Sequence, residues 1–208
     1  MRIGNRDYEE PTEGKMYHSR LYHRHFEGYR ETVVTKANGK QKICRVYTAP
    51  YYHCDLSKTS KVLLRLWYLL LTILASIFSL YNGMSNAAVN LVWYTALPQA
   101  VLVPVYLWSA YTLLYYIFTY RDMTIGDYRT CSTGLQKTFF ALFLIHGIWF
   151  IGSVLFYILH YGTSSPSAMY LIRILLSAAA CIIISATESR IPYSRIENPA
   201  STAGVEIK

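Results

Sequence analysis

Long apolar runs alternate with polar segments along this chain, and four of the runs are long enough to cross a lipid bilayer. They predict helices at about 62–81, 91–120, 138–160 and 167–186. At about 1.5 Å per helical residue, a run of this length spans roughly 30 Å of hydrocarbon. A soluble chain of 208 residues can bury one or two such helices but not four. The pattern therefore predicts an all-α, multi-pass membrane protein.

The apolar runs divide the chain into three parts. Residues 61–187 are expected to form a bundle of four transmembrane helices arranged as two hairpins, with Ser57 as the N-cap of the first helix. Residues 1–60 form a polar segment, and residues 188–208 form a tail with few apolar residues and little expected regular structure.

A small β-hairpin is expected in the polar N-terminal segment, near residues 29–48. Asn38-Gly39 can supply the positive backbone angles of a two-residue turn, and β-branched residues flank the turn on both sides. Because an isolated hairpin is only marginally stable in water, we expect this one to dock on the bundle or on another protein.

The positions of the basic residues predict how the bundle is oriented. Nineteen of the twenty Lys and Arg residues fall in the N-terminal segment, around the start of the first helix, in the loop after the second helix, or in the tail. The other two loops contain none. Because positive charge concentrates on the cytoplasmic side of membrane proteins, both termini are expected in the cytoplasm of a cell-membrane protein. The net charge of +8 is thereby explained without a nucleic-acid partner.

Each predicted helix carries its polar residues along one face, at about 100° per residue. Small and hydroxylated residues on such a face let membrane helices approach closely and form hydrogen bonds. The predicted helix-packing residues are Ser76, Ser153, Ser177, Cys181 and Ser185. The alternative is that the same faces line a path or a cavity for a solute.

Arg173 is the twentieth basic residue and lies about 9 Å inside the fourth predicted helix. A buried arginine is costly unless it is paired, hydrated, or able to reach the headgroups. The sequence has no Asp or Glu between Leu56 and Arg121, or between Tyr128 and Thr187, that could pair with it. A lipid phosphate, a solute or a partner protein would then supply the anion. The predicted partner- or solute-binding set is Arg173, Ser79, Thr95, Gln99, Tyr157 and His160.

Candidate cofactor chemistry is sparse, so neither a cofactor nor a metal is expected. His146 and His160 share a helix face and could each ligate a haem, but the second axial ligands would have to come from another copy of the chain. The cytoplasmic His and Cys residues lack the paired spacing of a zinc site. Motifs of phosphate binding, of nucleophilic catalysis and of metalloprotease chemistry were not found.

These observations favour a non-enzymatic accessory or modulatory subunit of a larger membrane transport complex. The expected partners are the lipid bilayer and either another membrane protein or further copies of this chain. The first alternative is a small homo-oligomeric transporter or pore that selects an anionic solute through Arg173. The second is a haem-binding subunit of a membrane oxidoreductase.

Overall fold

The computed structural model describes residues 27–35, 41–85, 87–120, 122–160 and 168–198, and gives only the backbone for residues 31–35 and 41–46. The chain divides into two compact units, residues 1–47 and residues 48–208.

The described part of the first unit is a pair of antiparallel strands, β1 (Tyr29–Thr35) and β2 (Gln41–Tyr47). Tyr29 lies opposite Tyr47 at one end of the pair, and Thr35 lies opposite Gln41 at the other. These strands occupy the region in which the sequence predicts a hairpin. The predicted turn, Asn38-Gly39, lies outside the described residues.

Four long helices dominate the second unit, and each is long and apolar enough to cross a membrane. They are α1 (Lys58–Met84), α2 (Trp93–Phe118), α3 (Ile125–Leu159) and α4 (Ala168–Glu188). A short 3₁₀ turn, Ala88–Leu91, precedes α2. All four are apolar along most of their length. Helices of this length and hydropathy indicate a multi-pass membrane protein.

The helix starts follow local capping signals. Ser57 accepts a hydrogen bond from the Ser60 backbone N–H at 3.1 Å, so the predicted N-cap of α1 is confirmed. The third helix was predicted to start near residue 138; its uninterrupted α-helical part begins at Leu135, and the helical segment as a whole begins at Ile125. A capping box, in which Thr124 and Asp127 satisfy each other's backbone N–H groups, starts α3 within a polar stretch. A π-helical turn over Arg129–Gly134 then leads into the apolar part.

Helix packing in the bundle is uneven. α4 packs against both α3 and α1, and α2 packs mainly against α3. The helices α3 and α4 are thus closely packed, whereas a cleft separates α1 from α2 along part of their length. The interior is filled by large side chains that are nearly or fully buried, among them Trp149, Tyr68, Tyr116 and Phe139.

A three-stranded antiparallel sheet belongs to the same unit, and the sequence analysis did not predict it. Its strands are β3 (Tyr51–Cys54), β4 (Asp122–Met123) and β5 (Tyr193–Ile196), with β3 in the centre. The expectation that the tail has little regular structure is wrong for β5. The ring of Tyr52 on β3 stacks on Tyr128 of α3 with centroids 4.2 Å apart, which holds the sheet against the start of α3.

The expected orientation can be tested by labelling single cysteines. In a cysteine-free background, cysteines introduced at Asn86 and Ser165 should react with an impermeant maleimide added to intact cells, because both lie in loops without basic residues. Cysteines at Gly39 and Tyr128 should react only after the membrane is permeabilised. Labelling at position 39 or 128 in intact cells would overturn the orientation with both ends inside.

Candidate functional site

Arg173 of α4 is half-buried at the seam between α4 and α1. Its Nη1 donates a hydrogen bond to the Asn82 Oδ1 at 2.9 Å, and its guanidinium carbon lies 4.3 Å from the centre of the Tyr81 ring. Asn82 is fully buried and Tyr81 is exposed. Arg173 therefore has two partners within the chain that the sequence did not predict. Both partners are neutral, so they orient the guanidinium and leave its charge unbalanced.

A chain of amide and hydroxyl groups leads from Asn82 to Gln99 on α2. Asn90 donates from its Nδ2 to the Asn82 backbone oxygen at 2.8 Å. The Oδ1 of Asn90 accepts from Gln99 Nε2 at 2.8 Å and from the Tyr170 hydroxyl at 2.6 Å. Asn82 Nδ2 in turn donates to the Tyr170 backbone oxygen at 2.9 Å. Arg173 and Gln99 therefore belong to one network, linked through two asparagines that the sequence analysis missed.

Ser79 belongs to a second polar cluster, deeper in the bundle. The His146 Nε2 lies 2.9 Å from the Ser79 Oγ and 3.2 Å from the Tyr106 hydroxyl. Its Nδ1 lies 2.7 Å from the Leu142 backbone oxygen, which can only accept, so Nδ1 carries a proton. In the neutral ring Nε2 is then an acceptor, and the two hydroxyls are its donors. Both ring nitrogens of His146 are thus engaged inside the bundle.

The predicted helix-packing residues play two different roles. Ser177 and Ser185 bond across helices: the Ser177 Oγ lies 3.2 Å from the Ala75 oxygen of α1, and the Ser185 Oγ donates to the Gln136 oxygen of α3 at 3.0 Å. Ser76 and Ser153 instead bond to carbonyl groups of their own helices. Cys181 is fully buried between helices as a free thiol.

The other predicted binding residues lie elsewhere. Thr95 is buried and donates to the Val92 and Val89 backbone oxygens at the start of α2. His160 is exposed at the end of α3, where its ring stacks on Phe156 with centroids 4.3 Å apart. Tyr157 is partly buried on α3. The predicted set is therefore split between two clusters and two helix ends.

Glu188 forms a third polar cluster, at the opposite end of α4 from Arg173. Glu188 is buried, with 1% of its surface exposed. One oxygen accepts from the Tyr68 hydroxyl at 3.2 Å, and the other accepts from the Tyr193 hydroxyl at 2.8 Å. Burial and the neighbouring Glu188 raise the pKa of Tyr193, so this phenol stays protonated and able to donate. The carboxyl group thereby ties β5 to the bundle.

Misplaced helix ends explain why Asn82 and Glu188 were missed. The predicted first helix stops at residue 81 and the predicted fourth at residue 186, whereas α1 continues to Met84 and α4 continues to Glu188. The sequence did contain a signal for Asn82: it lies three residues beyond Ser79, on the polar face of the first helix.

Metal-ligating groups are scattered. Across the residues that the structure describes, no three His, Cys, Asp or Glu side chains are grouped so that they could hold a metal ion. On β3, His53 contacts Asp122 of the neighbouring strand β4. The haem alternative gains no support from His146, because hydroxyl groups surround its Nε2.

Comparisons with known proteins found no match for the chain. No protein-family model matches it, and no curated protein and no solved structure is significantly similar to it. The four apolar helices define the class, a multi-pass membrane protein, and any more specific role has to be argued from the residues described above.

Proposed function

We propose that this protein is a non-enzymatic accessory or modulatory subunit of a larger membrane complex, and that Arg173 is where it meets its partner. The observation that carries the proposal is a half-buried guanidinium, held in position by Asn82 and Tyr81, whose charge is balanced by no carboxylate among the residues that the structure describes. An acidic residue on a neighbouring transmembrane helix would complete this site.

The geometry around Arg173 suits recognition of a carboxylate. Asn82 engages one edge of the guanidinium and the Tyr81 ring covers it at 4.3 Å, so the group is oriented before a partner arrives. Because arginine presents five donors in a planar fork, the remaining N–H groups can bind both oxygens of one carboxylate. In the low dielectric of the membrane such a pair is strong and specific.

A second candidate is a homo-oligomeric transporter or pore for an anionic solute. The same unbalanced charge on Arg173 supports it, because a fixed guanidinium could attract an anion from solution. The two candidates differ in assembly: the first requires a different protein beside α4, and the second requires copies of this chain around a shared path. Anion flux into vesicles containing only this protein would favour the second.

Substituting Arg173 tests the proposal. The partner is first identified by mass after purification of the tagged protein in lipid nanodiscs. Arg173→Gln should then lower recovery of the partner about tenfold or more, corresponding to at least about 1.4 kcal/mol. Arg173→Lys should also lower it, because a single ammonium cannot bind Asn82, cover Tyr81 and bind a carboxylate together.

Two further variants make the result specific. Arg190→Gln removes an exposed arginine just beyond α4 and should leave recovery unchanged. Arg173→Glu should abolish recovery, and an Asp→Arg or Glu→Arg change on the partner should restore it. Normal recovery with Arg173→Lys and with Arg173→Gln would show that the arginine only anchors the helix to lipid headgroups, and the proposal would fail.

A further inference from the structure

We propose that the cleft between α1 and α2 binds an uncharged amphiphile from the bilayer, with an apolar chain and an alcohol or amide head. The cleft has a volume of about 600 Å³, and its walls come from α1 and α2, with Trp149 of α3 also lining it. Known small-molecule sites have volumes of roughly 300–1,000 Å³ and mostly apolar walls with a few polar groups. Arg173 itself does not line the cleft, although Gln99 links the two through the hydrogen-bond network, and the inference goes beyond the proposed function.

The cleft opens toward the lipid. Leu80, Val103 and Leu107 line it and are 58%, 55% and 69% exposed, whereas Trp149 is fully buried. In a bundle that spans a membrane, exposed apolar side chains at this level face hydrocarbon. A ligand therefore enters sideways from the bilayer, and this route selects a lipophilic molecule.

The polar groups of the cleft are all neutral. None of the described residues that line it is charged, and its polar side chains are Ser76, Ser79, Gln99 and Tyr106. A charged headgroup would lose its hydration there without gaining an opposite charge, which is costly. Phosphate, carboxylate and ammonium heads are disfavoured, and a neutral head fits.

Gln99 is placed to accept a hydrogen bond from that head. Its Nε2 is used by Asn90 and Tyr170, so its orientation is fixed. Its Oε1 faces α1 across the cleft and lies 3.4 Å from the point where Gly83 would carry a Cβ. The absence of a side chain at Gly83 keeps this acceptor accessible.

The same wall of the cleft offers further acceptors. Pro104 has no N–H, so the carbonyl of Ala100 lacks the donor that an α-helix normally supplies four residues later. The Tyr106 hydroxyl gives its one proton to His146, so only its oxygen can contact the head, as an acceptor. A neutral head that donates, such as an alcohol or a primary or secondary amide, matches this set.

The order of these groups along α2 also fits an amphiphile. Gln99 lies six residues from the start of α2 at Trp93, near the membrane surface, and Ala110 lies at the far end of the cleft. The eleven helical steps from Gln99 to Ala110 correspond to a rise of about 16 Å. The head would bind at Gln99, and the chain would extend past Val103 and Leu107 toward the middle of the bilayer.

Trp149 provides a built-in reporter for the test. Replacing the three exposed tryptophans, Trp67, Trp93 and Trp108, with phenylalanine leaves Trp149 as the only one. This protein is placed in phosphatidylcholine nanodiscs and titrated with a monoacylglycerol whose chain carries two bromines. Bromine quenches tryptophan emission only at close range, so occupancy of the cleft should quench Trp149 saturably. Dibrominated phosphatidylglycerol and phosphatidylcholine, with charged heads, should not saturate.

Variants of the cleft give the matched comparison. Ala100→Phe fills the cleft and should raise the half-saturating mole fraction of monoacylglycerol about tenfold or more, equal to about 1.4 kcal/mol. Gln99→Leu and Tyr106→Phe should weaken binding by removing recognition of the head. Ala179→Phe makes the same substitution as the first variant on an exposed position of α4 outside the cleft, and should have no effect.

Three results would overturn the proposal. Equal quenching by the brominated phospholipids would mean that any bilayer chain enters the cleft. An absence of quenching by every brominated lipid would mean that the cleft is closed to the bilayer or occupied by a protein helix. Quenching that Ala100→Phe leaves unchanged would place the bromines outside the cleft.

Discussion

Replacing Glu188 with alanine should lower the free energy of unfolding by about 2–4 kcal/mol, because two phenol hydroxyls then lose their acceptor in a buried site. Tyr68 is fully buried, and Tyr193 donates to the other carboxyl oxygen at 2.8 Å. Without the carboxyl group, β5 loses its tie to α4. The loss can be measured by reversible unfolding in mixed detergent micelles, with tryptophan emission as the signal.

Two variants separate this effect from a general effect of removing a carboxylate. Glu197→Ala removes an exposed carboxylate from the same region and should change the free energy of unfolding by less than about 0.5 kcal/mol. Tyr193→Phe removes one donor and keeps the acceptor, so its cost should be about 1 kcal/mol. If Glu188→Ala were as mild as Glu197→Ala, the carboxyl group would not hold the sheet to the bundle.

Replacing Gly152 with alanine should destabilise the bundle by about 1–3 kcal/mol through overpacking. A Cβ at this position of α3 would lie 3.0 Å from the Tyr94 backbone oxygen and 3.4 Å from the Thr95 Cγ2 on α2. The close approach has a cause in the sequence: Pro98 has no N–H, so the Tyr94 carbonyl lacks its helical donor. Because the clash involves backbone, it can be relieved only by moving α2 away from α3.

Gly147 supplies the matched control for Gly152. It lies on the same helix, and a Cβ built there meets nothing within 4 Å. Gly147→Ala should therefore change the free energy of unfolding by no more than about 0.5 kcal/mol. Equal losses for the two alanine variants would show that the effect comes from the helix backbone and not from contact with α2.

The pattern of apolar runs was enough to predict the number of membrane helices and their order along the chain. The runs are about 20 to 30 residues long, and hydropathy over such a window is a strong signal. The helix ends were less predictable, because capping signals such as Thr124–Asp127 lie in polar sequence that hydropathy does not detect. An error of two or three residues at a helix end was enough to hide Asn82 and Glu188.

The second sheet could not be predicted from local patterns. Its strands have four, two and four residues and come from three distant parts of the chain. Strands this short show no alternation that a sequence reading could use, and their pairing depends on how the helices bring the segments together.

The candidate site was predicted in part. Arg173 was identified because a lone basic residue in an apolar run is unusual. Gln99 was predicted as its neighbour because the two lie at a similar depth in the membrane. The structure links them through Asn82 and Asn90. Which polar residues of different helices meet depends on the rotation and crossing of those helices, and hydrophobic periodicity does not determine either.

The native mass of the gently solubilised protein tests the central claim most directly. The protein is extracted from its own membranes in lipid nanodiscs, purified through a tag, and analysed by native mass spectrometry. An accessory subunit predicts a defined complex of this 23.9 kDa chain with at least one different membrane protein, which separates when Arg173 is replaced by Gln. A monomer, or an assembly containing only copies of this chain, would contradict the account.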